Sequence, residues 1–172
     1  MDRRGHGLSD KPRDAYGDPA LWAADLRAVI EALGLERPTL WAGPTPARSS
    51  GTTSAETSTA ALERFLDLTT RTRLPAKDRY LALGYNGVVP PHLRQALLSR
   101  TLSHDDLLER LSVPVLLAHG LDDQIVLPSM SEHHARLIPH AKSCWYQHVG
   151  HSPFLEVPDR FNADLREFAA SL

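Results

Sequence analysis

The sequence predicts an α/β fold: a reduced parallel sheet flanked by helices. Two observations predict it. Three short apolar runs, residues 39–42, 113–118 and 143–149, are bounded by glycine, proline or charge and are too short to be helices. The stretches between and after them carry apolar residues at helical spacing, and strands alternating with helices argue for parallel pairing through crossover connections. The length, 172 residues, is enough for one domain with a core, and residues 1–172 are read as one.

The elements follow in order. Residues 1–17 are charged and glycine-rich and read as a loop. Asp18-Pro19 is a helix start, with aspartate at the N-cap and proline at the first helical position. Trp22, Leu26, Val29, Ile30 and Leu33 recur at helical spacing, and Gly34 stands where a helix is stopped. Thr39-Leu40-Trp41-Ala42 is a strand candidate. Residues 43–58 hold almost nothing but Gly, Pro, Ala, Arg, Ser and Thr, which is a linker composition. Helical spacing resumes at Ala61, Leu62, Phe65, Leu66 and Leu68, and a further helix is expected from Pro91 to about Leu107. Val113 to Ala118 reads as a buried strand ending at His119-Gly120, Ser129 to Leu137 as a helix, and Ser143 to Val149 as a strand stopped by Gly150. Pro158-Asp159 opens a terminal helix through Phe161, Leu165 and Phe168.

Composition bounds the function. Apolar content of 42% and charged content of 23% are those of an ordinary globular protein. A net charge of −2 gives neither a basic footprint for nucleic acid nor a polybasic membrane patch. No apolar run approaches the roughly 20 residues of a membrane span, and the polar start has no signal-peptide pattern. Cys144 is the single cysteine, which suits a reducing, cytoplasmic location. The nine histidines show no metal-ligand spacing. His133 and His134 are adjacent on a helix and are expected to be solvated, and His148 is expected to be structural within its strand.

Arg4-Gly5-His6-Gly7-Leu8-Ser9-Asp10, Gly43-Pro44-Thr45-Pro46-Ala47, His119-Gly120-Leu121-Asp122-Asp123-Gln124-Ile125-Val126 and Val149-Gly150-His151-Ser152-Pro153-Phe154, in that order, resemble the α/β-hydrolase family. The resemblance covers most of the chain and implies a partial α/β-hydrolase fold, with residues 57–110 similar to the helical cap. It implies hydrolysis of an ester or related acyl bond by a nucleophile, a histidine and a carboxylate, in the chain order nucleophile, acid, histidine. Asp123 matches the acid position, with Asp122 the neighbouring alternative; without the resemblance both read as turn residues. His151 matches the histidine position; otherwise it is a loop histidine. The implied chemistry needs no cofactor and takes a small-molecule substrate, which Tyr80, Tyr85 and Trp145 do not identify.

The nucleophile position carries Thr45, and the pattern around it departs from the family's. The turn there is strained, which is costly for a β-branched residue, and the following proline pushes Thr45 toward extended backbone. Pro46 has no N–H to donate to an oxyanion, a loss of about 3 kcal/mol or more of transition-state stabilisation. The other oxyanion donor of the family lies on a loop before the first matched segment. Ser49, Ser50 and Ser54 read as loop serines. The expectation is a hydrolase by lineage whose catalysis is impaired in this copy; a non-catalytic remnant or partner-binding fragment is the competing reading. A reduced sheet exposes edges that invite self-association.

A shifted reading frame accounts for the departure. Tryptophan has a single codon, so the out-of-frame codon spanning Trp41 and Ala42 is forced to glycine. The codons after it permit tryptophan, serine, tyrosine, alanine and glycine in turn, which spells a serine elbow. This hypothesis is tested by sequencing the gene with its flanks; a shifted frame without a serine there sinks it.

Overall fold

The structure is a computed structural model that describes residues 2–13, 15–36, 38–40, 58–93, 96 and 104–172. Thr45, Ser49, Ser50, Ser54 and the rest of the 41–57 stretch lie outside the described residues. The chain divides into two compact units, residues 1–62 with 80–101, and residues 63–79 with 102–172.

In the first unit, helix α1 spans Pro19–Ala32. It starts where expected: the Asp18 carboxylate accepts the Ala20 N–H at 2.8 Å, satisfying a donor that the helix itself leaves orphaned. Gly34 follows it at φ 60°. The predicted apolar stripe of α1 is only partly covered, and Leu33 stays 67% exposed. The loop before α1 is tied to it by a two-pronged pair, Arg4 Nε and Nη2 each 2.6 Å from an oxygen of Asp25. Tyr16 and Leu93 are fully buried here, with the Tyr16 ring against Trp22 and His92.

Helices α2 (Ser58–Thr69) and α3 (Ala76–Gly87) fall in the segment expected to be helical. Tyr80 and Tyr85 on α3 are 73% and 67% exposed. The helix expected to run on to Leu107 is interrupted. His104 has a non-helical backbone (φ −131°) and starts a separate short helix α4, Asp105–Glu109.

The second unit holds a parallel β-α-β arrangement: β1 (Leu116–Gly120), α5 (Pro128–Leu137) and β2 (Lys142–Tyr146). The strands pair in register from Leu116 beside Lys142 to Gly120 beside Tyr146. β1 starts three residues later than the apolar run suggested, because Pro114 has no N–H to give a ladder. β2 ends at Tyr146 because the chain then turns, with His148 at φ 60°. His148 is therefore an exposed turn residue, which corrects its expected place in the strand. Thr39 and Leu40 are in no strand, so the described residues hold a two-stranded sheet where about three strands were expected.

Helices α6 (Pro153–Glu156) and α7 (Pro158–Ala170) complete the unit. Its core contains Leu66, Val126, Ile138, Tyr146 and Val149. The Tyr146 hydroxyl donates to Asp164 on α7 at 2.8 Å, and Arg160 lies 4.9 Å from the centre of the Tyr146 ring. Burial and the Asp164 carboxylate both push the Tyr146 phenol far above its ordinary range. Among the described residues no helix is long and apolar enough to cross a membrane.

Candidate active site

The site begins where β1 ends. After Gly120 the chain turns through Asp122 and Asp123, and that turn is held to the end of β2 by two backbone bonds. Leu121 N–H donates to the Tyr146 carbonyl and Asp122 N–H to the Val149 carbonyl, each at 2.9 Å. The parallel pairing thus continues past the ladder and brings the two C-terminal strand ends together. Crevices at such ends are where open α/β sheets place their sites.

The two aspartates do different things. Asp122 pairs with Arg71 at 3.0 Å on the surface. The Asp123 side chain is 2% exposed. Its Oδ1 accepts the N–H groups of Ile125 and Val126 at 2.8 and 3.0 Å, so its own turn fixes the carboxylate plane. Its Oδ2 lies 2.8 Å from Nδ1 of His151. Burial raises the proton affinity of Asp123, but the bonds from His151, Val126 and Ile125 outweigh it. The carboxyl is held below the ordinary carboxylate range. An ionised carboxylate only accepts, so Nδ1 of His151 carries a proton toward it, and in the neutral ring the lone pair is then on Nε2. That tautomer can take a proton from a nucleophile, with the buried charge stabilising the imidazolium that forms.

Three contributors were not anticipated from sequence. His119 is buried, with Nε2 at 2.9 Å from the Val126 carbonyl and 3.4 Å from Asp123 Oδ2. A carbonyl only accepts, so His119 carries its proton on Nε2 and receives the Ser131 hydroxyl on Nδ1 at 2.8 Å. It braces the acid turn from beneath. Glu156 and Arg71 flank the histidine loop, Glu156 accepting the Gly150 N–H at 2.7 Å. A histidine closing an apolar strand was the one available signal for His119. No local spacing announces Arg71 or Glu156, whose contact with each other spans 85 residues.

Other expectations are modified. His134 is partly buried rather than fully solvated, while His133, its side chain 37% exposed, lies 3.0 Å from Asp105. Burial and the neighbouring His133 lower the His134 proton affinity. Trp145 sits on β2, its ring 6.3 Å from that of His119. Thr45, the expected nucleophile position, lies outside the described residues. Among the described residues no group of three or more His, Cys, Asp and Glu could hold a metal ion.

Comparison with known proteins agrees with this architecture. The model of the α/β hydrolase fold family matches residues 45–158. A pimeloyl-[acyl-carrier protein] methyl ester esterase of Nitrosomonas europaea is 37% identical over 54 residues, which is 31% of this chain and 21% of that enzyme. The chain therefore matches about a fifth of that relative's length. Among solved structures, the esterase RhEst1 from Rhodococcus sp. ECU1013 superposes with a TM-score of 0.86 at 29% identity, covering 99% of this chain and 79% of that one. The esterase EaEST from Exiguobacterium antarcticum has a TM-score of 0.86 at 20% identity, covering 97% and 79%, and shows likeness of fold. With the family model matching well over half of its length, the chain belongs to the α/β-hydrolase fold family.

Proposed function

We propose that this chain is an esterase-like hydrolase by lineage, built to split an ester or related acyl bond, and that its copy of the reaction is impaired at residues 43–47. The observation that carries the reading is the pair formed by His151 and the buried Asp123, in which Nδ1 faces the carboxylate and Nε2 is left for a substrate-side proton. The esterase relatives support an acyl substrate. In the intact reaction a nucleophile at the Thr45 position attacks the carbonyl, His151 Nε2 takes its proton, and Asp123 stabilises the imidazolium. Impairment follows from Thr45 and Pro46, which supply a poor nucleophile and no oxyanion N–H at that turn.

A fluorophosphonate probe and an activated aryl ester test this together. The chain as it stands should form no adduct and hydrolyse the ester no faster than His151→Gln. Replacing residues 42–47 by glycine-tryptophan-serine-tyrosine-alanine-glycine should produce an adduct that His151→Gln suppresses on the same background. An adduct on the unaltered chain that disappears in Thr45→Ala would refute impairment. A folded, elbow-replaced chain that takes no label would refute the acyl-transfer reading of Asp123 and His151.

A further inference from the structure

The carboxylate of Glu156 gathers backbone donors from two distant segments. Its Oε1 accepts the Gly150 N–H at 2.7 Å. Its Oε2 accepts the Arg71 N–H at 2.6 Å and, more weakly, the Thr72 N–H at 3.4 Å. Gly150 immediately precedes His151, and a methyl group added there would lie 2.9 Å from Arg71 N and 3.1 Å from Thr70 C. The segment 70–72 therefore runs directly against the histidine loop, with Glu156 bonded to both. Arg71 continues the link through its side chain, which pairs with Asp122 beside the acid. Backbone N–H bonds to a charged acceptor are among the stronger ones available, and they fix direction as well as distance. The Gly150 N–H belongs to the Val149–Gly150 peptide, so that bond fixes the peptide from which the chain enters His151.

We propose that Glu156 is the positioning residue for His151: by holding the Gly150 peptide against segment 70–72, it sets the ring orientation from which Nδ1 reaches Asp123. The proposal rests on the reading of His151 and Asp123 as base and acid. It assigns Glu156 no contact with substrate. Asp123 needs no such help, because its carboxylate is anchored by its own turn at Ile125 and Val126.

The test uses the whole chain, isotope-labelled for NMR, with two readouts. One is the His151 Nδ1–H resonance shared with Asp123, identified by its loss in His151→Gln. The other is amide hydrogen exchange at Gly150, Arg71, Ile125 and Val126. Glu156→Ala should remove or broaden the His151 resonance. It should speed exchange at Gly150 and Arg71 by about ten- to a hundredfold, the range for losing a hydrogen bond to a charged acceptor. Exchange at Ile125 and Val126 should not change. Glu156→Gln keeps a carbonyl acceptor and should recover part of the resonance; it carries the test if the alanine variant does not fold. Glu167→Gln, which loses only an exposed pair with Lys142, should leave both readouts at the parent values. An unchanged His151 resonance in folded Glu156→Ala or Glu156→Gln overturns the proposal alone. Absence of the resonance from the parent chain overturns the acid–base reading and the proposal with it.

Discussion

Gly120→Ala should separate the acid turn from the histidine loop. A methyl group on Gly120 would lie 2.1 Å from the Gly150 carbonyl oxygen, 2.4 Å from the Val149 carbonyl oxygen and 2.8 Å from Val149 C. All three are backbone atoms, so no side chain can rotate away to make room. Over-packing of this kind costs about 1–3 kcal/mol when side chains can adjust, and this site belongs at the top of that range. Relief requires the 149–150 peptide to move off, which weakens the Asp122 N–H bond to Val149 and the Leu121 N–H bond to Tyr146, at about 1 kcal/mol each. The expected loss is therefore about 3–5 kcal/mol in urea unfolding, read at unchanged denaturant slope. Gly84→Ala is the matched control. Gly84 lies inside α3 with nothing within 4 Å of an added methyl, so alanine there should stabilise by about 0.5–1 kcal/mol. If Gly120→Ala unfolds within about 0.5 kcal/mol of the parent, as an unremarkable surface change would, the close approach of the two loops is wrong.

Asp123→Ala strands two backbone N–H groups, those of Ile125 and Val126, and should cost about 3–5 kcal/mol, with Asp123→Asn losing less; equal losses in the two variants would deny the carboxylate its turn-holding role. Because the folded Asp123 carboxyl lies below its ordinary range, its contribution is complete above about pH 4 and is lost as pH falls through the lowered value; an acid-unfolding curve that keeps its shape in Asp123→Asn would contradict this. His134 is lowered by burial and by His133, so the unfolded chain takes up that proton first. Stability should fall as pH drops below about 6.5, the ordinary histidine value, and His134→Gln should flatten that slope; an equally steep slope in the variant would show that another group is responsible. Asp18→Ala removes the cap of α1 and should cost about 1 kcal/mol, measured as a lower urea midpoint; no change would mean that the cap contributes nothing.

Much of the second unit was legible in the sequence. The strand ending at Gly120, the helix read at Ser129 to Leu137 and the terminal helix opened by Pro158 all carry their signals locally, and the observed helix begins one residue earlier, at Pro128. Asp123 and His151 were singled out by pattern, and the structure brings them within 2.8 Å of each other. Asp122, left open beside Asp123, pairs instead with Arg71. What could not be read depends on contacts distant in sequence or on backbone detail. His148 looked like a strand residue because its neighbours are apolar, yet its positive φ ends the strand. The partial burial of His134 is decided by what packs over α5, which helical spacing does not reveal. Nothing in the local sequence distinguishes Glu156, because its partners at Arg71 and Thr72 are brought to it only by the fold.

Among the described residues, the bonds that hold Asp123 and His151 come from residues 119–156 and from the strip 70–72. The pair is thus held by bonds made within one compact unit of the chain, and a substitution that touches none of these partners can change what the pair acts on while leaving its support in place.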